Sequence, residues 1–264
     1  MEDLATLMQF ANRLADAAAA ESLPLFRTAT QVDNKLDAGF DPVTLADRRA
    51  EKAMRRLIED VYPDHSILGE EFGAKQAGSW QWVLDPIDGT RAFITGLPIW
   101  GTLISLNHDG TPVLGVFDQP FTGERMTGAE GQPTHFWKDG HHLETATRDC
   151  SGLADAVIAT TDPRFFVNAP GEIQMNRVLE TAKLMRYGGD CYNYAMLACG
   201  QLDAVIEQGL QAYDIQALIP IIEGAGGKIT DWQGGSAASG GQVLACGSAG
   251  LHAELLELFG AAAA

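Results

Sequence analysis

Apolar residues recur at two different spacings along the chain, and the spacing predicts which segments are helical. Between residues 2 and 26 they fall close to every 3.6 positions, which predicts a long amphipathic helix limited by Pro24. The same pattern predicts a second helix from Leu45 to Val61. The second helix also carries basic side chains that we expect to be solvated and paired with acids: Arg48, Arg49, Lys52, Arg55 and Arg56.

Short apolar runs bounded by turn residues predict strands in the first half of the chain. These runs lie at 30–36, 66–69, 81–85, 100–107, 112–119, 124–128 and 134–138. Turn signals such as Asp109-Gly110 and Asp139-Gly140 separate the later runs. We therefore expect the later strands to form an antiparallel meander.

The rhythm changes beyond about residue 147, where short strands alternate with helices. Strands are predicted at 156–160, 183–187, 204–207, 228–230 and 243–246. Helices are predicted at 170–182, 191–200, 213–224 and 249–259. The alternation indicates a layered α/β arrangement. We expect an N-terminal α+β half over 1–146 and a C-terminal α/β half over 147–264, joined without a linker as one compact unit.

Composition narrows the classes of partner. The chain is 46% hydrophobic and 20% charged, which is ordinary for a globular protein. Its net charge of −17 argues against nucleic acid or an anionic membrane surface as the main partner. No signal peptide and no apolar run of about 18 residues is evident, and the four cysteines show no C-x-x-C spacing. These features predict a cytoplasmic protein with reduced thiols.

The stretch from Trp82 to Thr90 carries the clearest chemical signal. Its apolar start predicts a buried strand, and Pro86 cannot continue a central strand, so a turn is expected there. Asp85 and Asp88 then converge at the carboxyl end of the strand, which like charges tolerate when a cation lies between them. Gly89 allows a ligand close to the backbone, and Thr90 offers a hydroxyl and an amide. This pattern favours a site for a hard cation and a phosphate.

Two further carboxylates are candidates for the same site. Glu70 follows the short strand at 66–69, and strand-end carboxylates are ligands that Mg²⁺ prefers. Asp214 is predicted at a helix start, where it serves either as the helix N-cap or as a metal ligand. A rival chemistry, an aspartate nucleophile in a D-x-D-x-T motif, fits poorly. Asp85 and Asp88 are separated by two residues, and several elements precede them.

Three short segments together resemble the inositol monophosphatase family. They are Gly69-Glu70-Glu71, the run from Trp82 to Thr90, and Tyr213-Asp214-Ile215. The resemblance extends from the first helix to residue 259. It implies a layered α-β-α-β-α fold, an Mg²⁺-dependent phosphomonoesterase activity on a small-molecule substrate, and usually a homodimer.

The resemblance also implies roles for individual residues. Metal ligands for two or three Mg²⁺ would be Glu70, Asp85, Asp88, Asp214 and the backbone carbonyl of Ile87. Glu70 and Thr90 would order and activate the attacking water, with Asp47 supporting the threonine. The amides of Gly89 and Thr90 would hold the phosphate. Glu71 either takes part directly in the metal site or is an acid that is solvated or lies behind the metal ligands. No phosphoenzyme is required.

Departures from the inositol phosphatase pattern point to a particular branch. Arg91-Ala92-Phe93 follows Thr90 where those enzymes read x-N-F, and Gly189-Asp190-Cys191 stands where they carry a small residue after the glycine. Both variants resemble the histidinol-phosphate phosphatase branch. Asp190 would pair with the ammonium group of the substrate, unless it is the N-cap of the helix at 191–200. Glu207, with Asp190, would make a doubly anionic pocket, and Gly189 and Asp88 would also contact the substrate.

The sequence thus predicts hydrolysis of L-histidinol phosphate to L-histidinol and phosphate, a step of histidine biosynthesis. The alternative within the same fold is an inositol-1-phosphate or broad-specificity sugar-phosphate phosphatase. An alternative from a different class is a non-enzymatic regulatory binding module. In such a module we would expect the metal-ligand residues to be replaced. The candidate ligands are intact in this chain.

Overall fold

Two long helices begin the part of the chain that the computed structural model describes, which comprises residues 3–28, 32–34, 42–143 and 145–260. Helix α1 (Leu4–Ser22) starts at Asp3, whose carboxylate accepts hydrogen bonds from the first-turn amides. A 3₁₀ turn containing Pro24 then ends it, inside the predicted limit of residue 26. Helix α2 (Leu45–Val61) has the predicted bounds.

A small ribbon precedes α2. Strands β1 (Val32–Asn34) and β2 (Pro42–Thr44) pair in antiparallel fashion. The first is the described part of the strand predicted at 30–36, and the rest of that prediction lies outside the described residues.

The predicted meander forms most of an eight-stranded sheet. Its strands are β3 (Ser66–Gly69), β4 (Gly73–Lys75), β5 (Trp80–Asp88), β6 (Gly101–His108), β7 (Thr111–Gln119), β8 (Glu124–Ala129), β9 (His135–Lys138) and β10 (His141–Leu143). The order is β10-β9-β8-β7-β6-β5-β3-β4, with only the β3–β5 pair parallel among these strands. Strands β4 and β10 were not predicted, because each is three residues long and lacks an apolar alternation.

The second sheet is mixed and has the order β12-β11-β13-β15-β14. Its strands are β11 (Val157–Thr160), β12 (Leu184–Tyr187), β13 (Ala204–Leu210), β14 (Lys228–Thr230) and β15 (Gly241–Cys246). The remaining helices are α3 (Thr90–Thr95), α4 (Glu172–Thr181), α5 (Asp190–Ala198), α6 (Ala212–Ile215), α7 (Leu218–Gly224) and α8 (Ala249–Gly260).

The single helix predicted at 213–224 is wrong in one respect, because the chain forms α6 and α7 with a break between them. Pro220 explains the break. It has no N–H to donate to the preceding turn, and it lies in the first turn of α7, where that N–H would have no helical partner.

Three buried clusters define the layers. One joins α1 and α2 to one face of the eight-stranded sheet, around Leu14, Met54 and Trp82. The second joins the opposite face of that sheet to α5, α7 and the five-stranded sheet. The third packs α4 and α8 on the outer face of the five-stranded sheet, around Val178 and Leu255. The predicted α-β-α-β-α layering is therefore confirmed.

The strands of the first sheet end at residue 143 and those of the second begin at residue 157. The division into halves of 1–146 and 147–264 stays a prediction. None of the helices in the described ranges combines the length and apolar character needed to cross a membrane.

Candidate active site

A β-bulge at the end of β5 brings two aspartates to the same side. The expected turn at Pro86 is wrong, because β5 continues to Asp88. Its pairing with β6 shifts register, with Asp85 opposite Leu103 and Asp88 opposite Gly101. Residues three apart on a regular strand point to opposite faces, and the extra residue of the bulge reverses this. A proline is compatible with a bulge, where the ladder is already interrupted.

Asp214 completes a group of three carboxylates. One oxygen from each of Asp85, Asp88 and Asp214 lies within 4.8 Å of the others. Each aspartate also accepts a hydrogen bond from a backbone amide. The donors are the N–H groups of Ile87 at 3.1 Å, Cys191 at 2.6 Å and Gln211 at 2.6 Å respectively. These bonds fix the side chains while leaving oxygen atoms directed at a common point.

The electrostatics of this group favour a cation. Burial raises the pKa of Asp85 and of Asp88 well above the usual range, and the neighbouring carboxylates raise both pKa values further. Burial also raises the pKa of Asp214 to about 7. Charged oxygens crowded in this way are stable as anions when a positive ion lies between them. An all-oxygen donor set suits a hard ion such as Mg²⁺.

Asp214 helps to cap α6 and also belongs to the candidate metal site, although it is not the N-cap itself. It is the third residue of α6 and not the N-cap, which is Gln211. One carboxylate oxygen closes a capping box with the Gln211 amide, and the side chain still belongs to the three-carboxylate group. The capping role therefore orients a candidate metal ligand.

Glu70 lies beside this group. It follows β3, and its own N–H donates to the carbonyl of Leu84 at 3.1 Å, one residue before Asp85. The Glu70 side chain lines the same cavity, whereas Glu71 does not. Glu70 also raises the pKa of Asp85, both by charge and by a side-chain hydrogen bond.

The hydroxyl of Thr90 has two acceptors within reach. It lies 3.0 Å from the Ile87 carbonyl and 3.4 Å from Asp47 Oδ1. Since a threonine has one hydroxyl proton, it serves one acceptor at a time. Asp47 is fully buried, is held by the amide and hydroxyl of Thr44, and has its pKa raised to about 6 by burial. The structure thus brings Asp47 to Thr90, although Asp47 does not line the cavity.

The cavity has a volume of about 340 Å³ and is lined from both sheets. Its walls include all four candidate metal carboxylates, Ile87, Gly89, Thr90, Asp190 and Glu207. Gly89 has a φ of +83°, and a Cβ there would lie 3.1 Å from Asp190 Oδ2. A glycine is therefore required where the carboxylate of Asp190 passes over the chain.

Asp190 is not a helix cap. The N-cap of α5 is Gly189, and Asp190 is the first helical residue, with an unusual φ of +43°. Burial raises the pKa of Asp190 to about 6, and the nearby Arg91 guanidinium acts in the opposite direction. Gly189 is not part of the cavity wall. Its φ of +114° and the close Asn193 side chain exclude a Cβ there.

Glu207 is held more tightly than the sequence indicates. It is 1% exposed, and its carboxyl group accepts hydrogen bonds from the amide and hydroxyl of Thr161 at 2.7 and 2.8 Å. Burial raises the pKa of Glu207 to about 8, and the hydrogen bonds from Thr161 act in the opposite direction. Burial favours the neutral form of both Asp190 and Glu207, and the doubly anionic pocket stays a prediction.

Tyr194 and Glu51 are two of the residues near the site that sequence reasoning missed. Tyr194 lines the cavity, and Glu51 is buried beneath the turn that carries Glu70. Each lies four positions after a residue that was identified, Asp190 and Asp47 respectively. The i, i+4 spacing on a helix places such residues on the same face, so this spacing is the signal that would have found them.

Comparison with known proteins agrees with the geometry. A model of the inositol monophosphatase family matches residues 3–263. The chain is 43% identical over 258 residues to the bifunctional phosphatase IMPL2, chloroplastic, of Arabidopsis thaliana, covering 93% of this chain and 72% of the relative. It is 31% identical over 258 residues to a histidinol-phosphatase of Chlorobaculum parvum, covering 96% of each. The solved structure of an inositol monophosphatase from Zymomonas mobilis superposes with a TM-score of 0.86 at 42% identity, covering 98% of this chain and all of that one.

Proposed function

The chain belongs to the inositol monophosphatase family, and we propose that within this family of phosphatases it hydrolyses L-histidinol phosphate to L-histidinol and phosphate, in histidine biosynthesis, with Mg²⁺ as its metal. The observation that carries the choice of substrate is the Asp190 carboxylate in the cavity wall, which is not used as a helix cap. The relatives named as histidinol-phosphatases support the same choice.

The carboxylates of Glu70, Asp85, Asp88 and Asp214, with the carbonyl of Ile87, are the residues that would hold two or three Mg²⁺. The ions, when bound, supply positive charge that neutralises the phosphate and lowers the pKa of water. The raised pKa values of Asp85, Asp88 and Asp214 support this assignment, because each reflects negative charge crowded in a buried place.

Glu70 and Thr90 would position the attacking water. Thr90 donates its single proton to Asp47 or to the Ile87 carbonyl, so the lone pairs of its oxygen face outward and accept a hydrogen from the water. Glu70 accepts the second hydrogen as a carboxylate. Asp47 keeps the Thr90 proton directed away from the water, which is the support that the resemblance implies.

The phosphate would lie against the start of α3. The N–H groups of the first helical turn have no partner within the helix, and Gly89 allows an anion to approach the backbone closely. The amides of Gly89 and Thr90 are therefore suited to donate hydrogen bonds to the phosphate oxygens.

The organic part of the substrate would extend toward Asp190 and Glu207. Histidinol carries an ammonium group, and a carboxylate in a cavity wall recognises it by charge and hydrogen bond. Inositol carries neither charge nor donor of that strength. Glu207 lines the same cavity and would accept a hydrogen bond from the imidazole N–H of histidinol.

The test compares kcat/KM for histidinol phosphate with that for p-nitrophenyl phosphate, before and after Asp190→Asn. Loss of one hydrogen bond to a charged group costs about 1.5–3 kcal/mol, or about 10- to 150-fold. We expect that loss for histidinol phosphate and almost none for p-nitrophenyl phosphate, which has no cation. Equal losses on both substrates would assign Asp190 to the fold and not to recognition.

A second candidate is hydrolysis of inositol 1-phosphate. Glu207 suits it as well, since its carboxyl group in the cavity wall can accept a hydrogen bond from a sugar hydroxyl. The Zymomonas mobilis structure is described as an inositol monophosphatase and supports it too. If kcat/KM for inositol 1-phosphate equals or exceeds that for histidinol phosphate, this candidate replaces the first.

A homodimer is also proposed. The segment 165–187 exposes several large apolar side chains, including Ile173 at 80% and Val167 at 56%. Strand β12 in this segment is an edge of its sheet, with Leu184 and Tyr187 half exposed. Exposed apolar surface of this kind is typical of protein interfaces. Light scattering after size exclusion would show a mass twice that of the chain.

A further inference from the structure

We propose that Glu51 is a positioning residue for Glu70, and that it fixes the turn carrying Glu70 against the end of β5. The inference rests on the proposed function, in which Glu70 orders the attacking water and holds metal. Glu51 itself does not line the cavity, so it would act through the backbone of the turn.

Glu51 binds the two residues that follow Glu70. Its Oε2 accepts a hydrogen bond from the amide of Glu71 at 2.7 Å, and its Oε1 accepts one from the amide of Phe72 at 3.2 Å. On the other side, the amide of Glu70 donates to Leu84 on β5 at 3.1 Å. The backbone at Glu70 is thus fixed from α2 and from β5 together.

The turn is shaped to admit this carboxylate. A Cβ on Gly69 would lie 1.9 Å from Glu51 Oε1, so the absence of a side chain at 69 creates the space that Glu51 fills. Arg55 completes the arrangement. Its Nε donates to Glu51 Oε1 at 2.7 Å, and its Nη2 donates to the carbonyl of Gly73. Residues 71–73 are therefore bound by one buried ion pair.

Because Glu51 is buried, its carboxylate depends on the hydrogen-bond partners around it. Glu51 is fully buried, and a buried carboxylate is stable only where partners replace its lost water. Here two amides and a guanidinium do so. Removing the carboxylate would leave those donors without a partner, and the turn would be expected to shift to satisfy them.

Helix α2 also connects this contact to Thr90. Asp47 and Glu51 lie one helical turn apart on the buried face of α2, about 6 Å along its axis. The first contacts Thr90 and the second fixes the turn of Glu70. A single rigid helix face thus sets the distance between the two groups that would hold the water.

The test compares Glu51→Gln with a matched control, Asp203→Asn. Asp203 is likewise buried, and it accepts from Arg148 Nε and from the amide of Val157, both at 2.7 Å, but it lies away from the cavity. Substituting a residue that orients a metal ligand typically lowers activity or metal affinity by about 10- to 100-fold. We expect Glu51→Gln to lower kcat and to weaken Mg²⁺ binding by about tenfold, with KM changed less than about twofold.

Asp203→Asn should lose a similar amount of thermal stability while keeping wild-type kcat and Mg²⁺ affinity. If Glu51→Gln unfolds, Arg55→Gln provides the milder change and should show a smaller effect in the same direction. Wild-type kcat and Mg²⁺ affinity in a destabilised but folded Glu51 variant would overturn the proposal.

A readout without catalysis separates this proposal from the proposed function. Hydrogen exchange at the amides of Glu71 and Phe72 should be at least about tenfold faster in Glu51→Gln, with exchange elsewhere on β5 unchanged. Mg²⁺ affinity, measured by calorimetry, needs no substrate. If the wild-type protein hydrolyses no phosphate ester but both readouts respond, the proposed function fails and the positioning role stands. Unchanged exchange and unchanged Mg²⁺ affinity would refute the positioning role itself.

Discussion

Gly115 on β7 lies against the backbone of Ala217, at the junction of the eight-stranded sheet with the segment that carries Asp214. A Cβ added at Gly115 would lie 1.9 Å from the Ala217 carbonyl oxygen and 2.7 Å from its carbon. Cβ atoms essentially never approach other atoms closer than 3.0 Å. The substitution Gly115→Ala must therefore move Ala217 by about 1 Å, because a backbone carbonyl cannot rotate away as a side chain does.

The size of the effect follows from this shift. Overpacking of a well-packed interior costs about 1–3 kcal/mol, and a clash with fixed backbone belongs at the upper end. At about 2–4 °C per kcal/mol for a chain of this size, the melting temperature should fall by about 6–12 °C. Asp214 lies three residues before Ala217, so the shift should also draw it away from Asp85 and Asp88 and weaken Mg²⁺ binding.

Thermal unfolding and Mg²⁺ titration of the folded variant are the assays, with Gly250→Ala as the control. A Cβ on Gly250 in α8 meets nothing within 4 Å, so alanine there should stabilise the protein by about 0.4–1 kcal/mol. The two glycine-to-alanine changes are thus predicted to have opposite signs. A wild-type melting temperature for Gly115→Ala would show that the junction is loosely packed and would refute the reasoning.

Two further predictions concern single side chains. Burial lowers the pKa of His252 to about 4, so the folded state takes up this proton less readily than the unfolded state, whose histidine pKa is about 6.5. The contribution of His252 to the free energy of unfolding should therefore be present above pH 6.5 and decline by about 2–3 kcal/mol as the pH falls to 4. In urea unfolding across this range, the free energy of unfolding of His252→Gln should depend less on pH than that of the wild type. Asp88→Asn should lower kcat by at least about 10²–10³-fold, as for other groups that stabilise transition-state charge. The Mg²⁺-free variant should melt at the same or a higher temperature than the wild type, because asparagine has no charge to bury beside the other carboxylates. Retained activity in Asp88→Asn would remove this residue from the metal site.

Helices were predicted well where local signals agree. For α2, the apolar spacing, the capping box formed by Thr44 and Asp47, and the residues after Val61 all mark the same bounds. Strands β4 and β10 have no such signals, since their short, solvent-facing sequences are compatible with a loop. They are strands because a neighbour offers an unpaired edge, which a local pattern does not record.

Candidate ligands were predictable because carboxylates at strand ends stand out from their apolar surroundings. The residues that hold these ligands in place were not predictable, because they depend on contacts between distant segments. Arg55 was expected to be solvated and paired with an acid. It does pair with Glu51, but its side chain is only 14% exposed. The raised pKa of Glu207 is likewise a consequence of its burial, which the sequence does not show.

The residues proposed for substrate recognition and those proposed for hydrolysis are joined at one hydrogen bond, and this determines which substitutions can separate the two roles. The amide of Cys191 donates to Asp88 Oδ2 at 2.6 Å, so the residue after Asp190 orients a candidate metal ligand. Asp190 has a φ of +43°, a conformation that asparagine and glycine adopt readily and that β-branched residues adopt at a steric cost. Asn at position 190 removes the negative charge while it preserves this backbone and the Cys191 bond. Valine or threonine at the same position would shift the Cys191 amide and disturb Asp88, so a loss of activity in those variants would say nothing about recognition of the substrate's cation.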